Sequence, residues 1–198
     1  FVLVKRNREG STMTIMVMEK ALSHEQCDYF ISLAKNNWKS GGTTNIETQS
    51  TRKSDIFWIS DDKINKQITD LCDEANKSAK WDFDIRNMEP IQIARYRKKE
   101  FYSWHVDGNG LRSIPNSPGH VRKLSMSILL NDEYTGGELE IKHGMMETKI
   151  PNNMGPNKME GSKGTVIVFP SYYLHRVKPV KKDTRYSLVA WFGGPKFI

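Results

Sequence analysis

The hydrophobic positions of the chain follow one period in its first 80 residues and another after Pro90. Thr12 to Met18 alternates, with Met13, Ile15 and Val17 on one side, and predicts a strand. Ser23 followed three residues later by Gln26 makes a capping box. Cys27, Phe30, Ile31 and Ala34 then recur at helical spacing, which predicts a helix over about 24–37. After a polar stretch over 40–51, Ser54 to Ile59 reads as a strand. Asp61 and Asp62 suit a helix start, and Ile64, Ile68, Leu71, Cys72, Ala75 and Ala79 share one face of a second helix.

From Pro90 onward the chain reads as short strands punctuated by turn residues: Ile91 to Tyr96, Leu124 to Leu130, Glu138 to Lys142, Thr165 to Phe169 and Tyr186 to Phe192. That texture predicts a sandwich or small barrel, with the helices packed on one side of an antiparallel double sheet. His143 to Lys163 interrupts it, with four methionines, two prolines, three glycines and three asparagines. A segment of that kind is expected to be a mobile lid near a site or a plain disordered insertion. Residues 1–11 carry no periodicity and are expected to form a flexible leader. The remainder, 12–198, then forms a single domain, with helical support over 12–89 and a strand-rich core over 90–194.

Composition narrows the class. A chain of 198 residues with 37% hydrophobic content buries about 70% of its unfolded surface without staples. Cys27 and Cys72 are too few for a disulfide framework and sit in apolar helical patterns, so a reducing compartment is expected. Phe1 to Val4 runs straight into the charged Lys5 to Glu9 and reads as neither a secretory signal nor a membrane span. No apolar stretch approaches the roughly 18 residues a spanning helix needs, and no repeat is visible. The expectation is a cytoplasmic protein without a membrane partner. The net charge of +7 allows an anionic partner such as nucleic acid, or simply a solvated basic surface.

Two of the five histidines stand in a chemical pattern; His24, His120 and His143 sit among helix-start, turn and loop residues and read as surface positions. His105 and Asp107 are one residue apart at an aromatic-rich strand end, so on an extended chain their side chains face one point. His175 follows the apolar strand Thr165 to Phe169 and is the candidate third ligand. Two imidazoles and one carboxylate form the facial triad that suits Fe(II) with open coordination positions. Neither cysteine has a partner at ligand spacing, which excludes a thiolate site. Arg185 and Ser187 share one face of the next strand, where a buried guanidinium beside a hydroxyl is suited to a forked contact with a carboxylate. A triad with this Arg-x-Ser pair fits an iron site whose cosubstrate is a dicarboxylate.

The chain resembles the Fe(II)- and 2-oxoglutarate-dependent dioxygenases, and among them the prolyl 4-hydroxylase type (the catalytic domain of the alpha-subunit kind). The resemblance runs through Ala-Leu-Ser-His-Glu-Gln-Cys-Asp (21–28), Thr-Arg-Lys-Ser (51–54), Ile-Ala-Arg-Tyr (93–96), Tyr-Ser-Trp-His-Val-Asp (102–107) and Gly-Gly-Glu-Leu (136–139). It continues through Leu-His-Arg-Val-Lys-Pro-Val (174–180) and Thr-Arg-Tyr-Ser (184–187). It implies a mainly β, α+β fold: a double-stranded β-helix, the jelly roll of cupin-like proteins, with N-terminal helices packed on one sheet. It implies that His105, Asp107 and His175 hold iron, and that Arg185 binds the distal carboxylate of 2-oxoglutarate with Tyr96 and Ser187 as helpers. Tyr102, Arg122 and Trp191 fall where such enzymes face a peptide. No catalytic residue beyond the metal centre is implied.

Arginine at 185 departs from the lysine usual in collagen-type enzymes, which leaves the subfamily open. The activity implied is hydroxylation of a C–H bond, foremost of a prolyl residue in a peptide or protein. O2 is the second cosubstrate, ascorbate the reductant, and succinate and CO2 are released. The carboxylate of Asp107 favours hydroxylation over halogenation. The alternative is a nucleic-acid-modifying oxygenase, motivated by the net charge and by the basic run Arg95, Arg97, Lys98 and Lys99, which is expected to flank the metal cleft.

Overall fold

The computed structural model describes residues 2–4, 15–41, 51–108, 110, 113–114, 117–143, 146–150 and 162–197. Its two helices are α1 (His24–Leu33) and α2 (Asp62–Ser78). Helix α1 opens on the predicted capping box, with the Gln26 amide donating to the Ser23 hydroxyl and the Gln26 side chain accepting from the Ser23 amide. Helix α2 opens on Asp61, whose carboxylate accepts from the amides of Lys63 and Ile64. These contacts satisfy donors that a helix start otherwise leaves open. Helix α1 stops at Leu33 rather than near residue 37. The residues that follow Ala34 are Lys35, Asn36 and Asn37, and asparagine competes for its own backbone and favours turns.

Two antiparallel sheets form the body. The larger has nine strands, in the order Val2–Val4, Met16–Met18, Val166–Pro170, His120–Leu129, Arg185–Pro195, Ile91–Tyr96, Asp55–Ile59 and Lys39–Ser40, with Asn87–Met88 paired beside Arg185–Pro195. The smaller has five strands, in the order Met146–Ile150, Leu139–His143, Leu174–Val177, Phe101–His105 and Arg52–Lys53. Sequence neighbours are split between sheets, so the chain winds back and forth as a jelly roll.

Alternation assigns each strand residue to one of two cores. Met16, Met18, Ile93, Val166, Val168 and Leu188 face the helices, where they meet Leu22, Cys27 and Phe30 and, from α2, Ile64, Ile68 and Cys72. Ile15, Val17, Ala94, Tyr96, Ile167 and Phe169 face the smaller sheet and meet Leu139, Ile141 and Val177. Fully burying one such side chain is worth about 1.5–3 kcal/mol. The helices thus cover one face of the larger sheet, as the sequence pattern predicts, and the cleft opens between the sheets on its other face.

Two expectations change. Val2–Val4 pairs with Met16–Met18, so the start of the supposed leader adds a strand; β-branched valines suit a pleated surface. Residues 5–14 lie outside the described residues, as does most of the polar stretch over 40–51. Met146–Ile150 pairs with Leu139–His143, so the front of the supposed loop is a hairpin strand. Its alternation of Met146, Thr148 and Ile150 with Glu147 and Lys149 is hidden among the loop-forming residues around it. The lid or insertion expected beyond it falls on residues 151–161, outside the described residues. Among the described residues no helix is long and apolar enough to cross a membrane.

Candidate functional site

His105 and His175 lie directly opposite each other on adjacent strands of the smaller sheet, with ring centroids 4.1 Å apart. Asp107 follows two residues after His105. One ligand atom from each of the three residues lies within 4.8 Å of the others. Asp107 Oδ1 is 3.6 Å from His105 Nε2, and Oδ2 is 3.3 Å from His175 Nε2.

Both imidazoles are set by the same local device. His105 Nδ1 is 2.8 Å from the Ser103 carbonyl and His175 Nδ1 is 2.9 Å from the Tyr173 carbonyl. A carbonyl can only accept, so each Nδ1 carries a proton and each Nε2 faces Asp107, where it donates to the carboxylate when protonated and offers a lone pair to a metal when neutral. This is the outer-shell arrangement that orients metal-binding histidines.

The ionisation states suit a cation. Burial, helped by His175, lowers the pKa of His105 to about 4, so this ring is neutral at pH 7. Burial alone would raise Asp107, but the charge of His175, a hydrogen bond from it and the charge of His105 outweigh that and hold the carboxyl well below its usual range. Burial would lower His175, and the Asp107 carboxylate overrides it and raises it. A divalent ion would take the place of that proton.

A β-bulge brings Tyr102 to the same cleft. The pairs His175–His105 and Val177–Tyr102 span two residues on one strand and three on the other. Without the extra residue Tyr102 and His105 would face opposite sides; with it their rings stack, with centroids 3.5 Å apart and planes inclined at 14°. Arg52 also lies over this ring, its guanidinium carbon 4.8 Å from the Tyr102 centroid.

The far end of the cleft is cationic. Arg185 is 1% exposed and pairs in register with Tyr96. Its Nη1 donates to Ser187 Oγ at 2.8 Å, while Nε and Nη2 are buried with no hydrogen-bond partner. Among the described residues no carboxylate pairs with it. Two orphaned charged donors fit a carboxylate ligand, because leaving them open costs about 1–3 kcal/mol or more each. The Gly-Gly-Glu-Leu motif makes room here. Gly136 and Gly137 have φ of +74° and +67°, and a Cβ on Gly137 would lie 2.9 Å from Arg185 Cδ.

One cavity is lined by His105, Asp107, His175, Arg185, Tyr96, Ser187, Tyr102 and Trp191. Of the residues expected from sequence, Arg122 alone stands off its lining. It forks onto Glu89, with Nε–Oε1 at 2.5 Å and Nη2–Oε2 at 2.7 Å, donates to the Asp107 carbonyl at 3.3 Å, and lies 4.4 Å over the Trp191 ring. Glu89, Gln92, Ser125 and Ser127 escaped the sequence reading. Ser125 and Ser127 did leave a signal, as polar residues two apart in the apolar run Leu124 to Leu130.

Arg95 and Arg97 of the basic run do not line this cleft. Arg95 and Arg97 both bond Asp55, and Arg95 lies 4.3 Å over the Trp38 ring, which packs on the helix-side core. Alternation along Ile91–Tyr96 turns Tyr96 to the cleft and Arg95 to the helices.

A cleft between jelly-roll sheets, with a two-histidine, one-carboxylate cluster at one end and a buried arginine at the other, has the donor set of an iron oxygenase with a dicarboxylate cosubstrate. The model of the 2OG-Fe(II) oxygenase superfamily matches residues 91–193, and the chain belongs to that family, whose chemistry uses Fe(II), 2-oxoglutarate and O2. Among curated relatives, a PKHD-type hydroxylase of Xylella fastidiosa (strain M23) is 35% identical over 173 residues, covering 80% of this chain and 69% of the relative. A PKHD-type hydroxylase of Alteromonas mediterranea is 36% identical over 105 residues, covering 52% of this chain and 42% of the relative's length.

Solved structures of similar fold include the viral collagen prolyl hydroxylase of Paramecium bursaria Chlorella virus-1 in complex with 2OG. It has a TM-score of 0.66 and 23% identity, and the match covers 91% of this chain and 96% of that one. A Pseudomonas putida prolyl-4-hydroxylase has a TM-score of 0.65 and 18% identity, with 93% of each chain covered.

Proposed function

We propose that the protein is a peptidyl-proline hydroxylase that uses Fe(II) and 2-oxoglutarate. The observation that carries this reading is the pairing, within one cavity, of the His105–Asp107–His175 cluster with a buried arginine whose donors are open. His105, Asp107 and His175 hold the metal. Iron bound there supplies the redox chemistry that couples conversion of 2-oxoglutarate and O2 to succinate and CO2 with insertion of the second oxygen atom into a C–H bond. Ascorbate serves as reductant.

Arg185 binds the distal carboxylate of 2-oxoglutarate through Nε and Nη2. Ser187 fixes the guanidinium, and the Tyr96 ring forms the wall beside it, 5.5 Å from the guanidinium carbon. Tyr102 and Trp191 face the peptide. Arg122 is held over Trp191 by Glu89, which keeps the indole in place as an apolar wall against a pyrrolidine ring.

The nucleic-acid alternative has less support at the cleft, since Arg95 and Arg97, two of the four basic residues that motivated it, are paired with Asp55. Mass spectrometry of proline-containing peptides after incubation with Fe(II), 2-oxoglutarate and ascorbate tests the proposal. One added oxygen on proline is expected. Oxidation of single-stranded DNA or RNA, with proline peptides untouched, would overturn it.

A further inference from the structure

The carboxylate of Asp107 is not left to the metal alone. Its Oδ2 accepts a hydrogen bond from Ser125 Oγ at 2.8 Å, and Ser125 Oγ lies 2.9 Å from Ser171 Oγ. Both serines are buried, at 1% and 0% exposure. Proton counting gives the chain a direction. A carboxylate only accepts and each hydroxyl has one proton, so Ser125 spends its proton on Asp107 and must accept from Ser171.

Ser171 also clamps the backbone of the same turn. Its carbonyl accepts from the amides of Asp107 and Gly108, both at 3.0 Å, and its own amide donates to the Lys123 carbonyl at 2.9 Å. Three segments are tied together: the turn after His105, the strand His120–Leu129 and the turn after Val166–Pro170.

We propose that Ser125, backed by Ser171, is a positioning residue that fixes which oxygen of Asp107 is offered to the metal. The inference rests on the assignment of Asp107 as a ligand. With one lone pair of Oδ2 taken by the hydroxyl relay, Oδ1 is the less encumbered oxygen, and the relay would favour binding of the ion through that one atom rather than two. The protein then takes three positions around the ion and leaves the others for cosubstrate and O2. Without the relay the carboxylate can rotate and close on the ion, or turn to a histidine. Outer-shell contacts of this kind typically change metal affinity or activity by about 10- to 100-fold.

Titration of the metal-free full chain with Mn(II), followed by the electron paramagnetic resonance of free Mn(II), reads the effect without turnover. Ser125→Ala is expected to weaken Mn(II) binding about 10-fold or more, Ser171→Ala less, and the double variant no more than Ser125→Ala alone, because Ser171 acts through Ser125. Ser125→Thr, which keeps the hydroxyl, should restore affinity. In turnover, Ser125→Ala should raise the metal concentration needed for half-maximal rate and leave KM for 2-oxoglutarate unchanged.

Wild-type Mn(II) affinity in a folded Ser125→Ala protein would overturn the inference, as would fully additive losses in the double variant. Should Ser125→Ala fail to fold, wild-type affinity in Ser171→Ala would overturn the relay. His175→Ala separates the two levels. If it abolishes binding while the serine variants do not affect it, only the relay fails; if it too binds Mn(II) normally, the metal assignment itself fails.

Discussion

Replacing Arg185 by methionine should stabilise the empty protein while destroying its response to cosubstrate. The side chain is 1% exposed, only Nη1 has a partner, and Nε and Nη2 are open. Exchanging a buried charge for a packed apolar side chain is neutral to stabilising by about 1–4 kcal/mol. Ser187 loses its partner, which costs about 1 kcal/mol back. A net gain near 1 kcal/mol raises Tm by about 2–4 °C for a domain of this size.

The cosubstrate side has the opposite sign. Two hydrogen bonds to a charged group, each worth about 1.5–3 kcal/mol, amount to about 3–6 kcal/mol, or roughly 100- to 10,000-fold in affinity. At 100 times Kd, 2-oxoglutarate stabilises the wild type by about 2.7 kcal/mol, a shift of about 5–11 °C. Thermal melts with Mn(II), with and without 2-oxoglutarate, should therefore cross: the variant melts higher alone, and only the wild type responds. A variant that melts lower than wild type without cosubstrate, or that keeps the shift, would refute the reasoning.

Gly137→Ala should cost about 1–2 kcal/mol for an L side chain at positive φ, and it should raise KM for 2-oxoglutarate more than it lowers kcat, because the new methyl presses on the Arg185 stem; an unchanged KM would contradict this. The two thiols should be inert in the folded protein, since burial pushes Cys27 up to about 11 and Cys72 higher still. Iodoacetamide at pH 8 should label neither until denaturant is added. The neutral thiols favour the folded state fully below their unfolded value of about 8.5, and for Cys27 that contribution fades as pH rises through about 11, which a pH series of denaturant melts would read.

His175 joins the metal cluster only through folding. The pairing of His105 with Asp107 was legible through its His-x-Asp spacing, although the strand ends at His105 and Asp107 lies in the bend just beyond it. Helix α2 was legible for the same kind of reason, through its apolar face and Asp61 cap. Arg185 with Ser187 belongs to this group too, as an i, i+2 pair.

Tyr102 was reached through resemblance rather than pattern. Its spacing of three from His105 puts it on the wrong face until a bulge inserts a residue, and a bulge depends on the partner strand. The orientation of Arg95 was misread because a basic run looks continuous in sequence, whereas alternation puts Arg95 on the face of the strand opposite Tyr96, which lines the cleft. Ser125 and Ser171 come from strands joined only by folding, so their relay to Asp107 has no local signature. The strand Met146–Ile150 was hidden by the methionines and glycines of its surroundings.

The central claim is that His105, Asp107 and His175 hold an iron that turns over the 2-oxoglutarate bound by Arg185. Succinate formation, measured in purified protein with Fe(II), ascorbate, 2-oxoglutarate and a proline-containing peptide, tests it most directly when run beside His175→Ala. Iron-dependent succinate is expected from the wild type and none from the folded variant. Equal succinate from both, or none from an iron-loaded wild type with its peptide hydroxyl acceptor present, would contradict it.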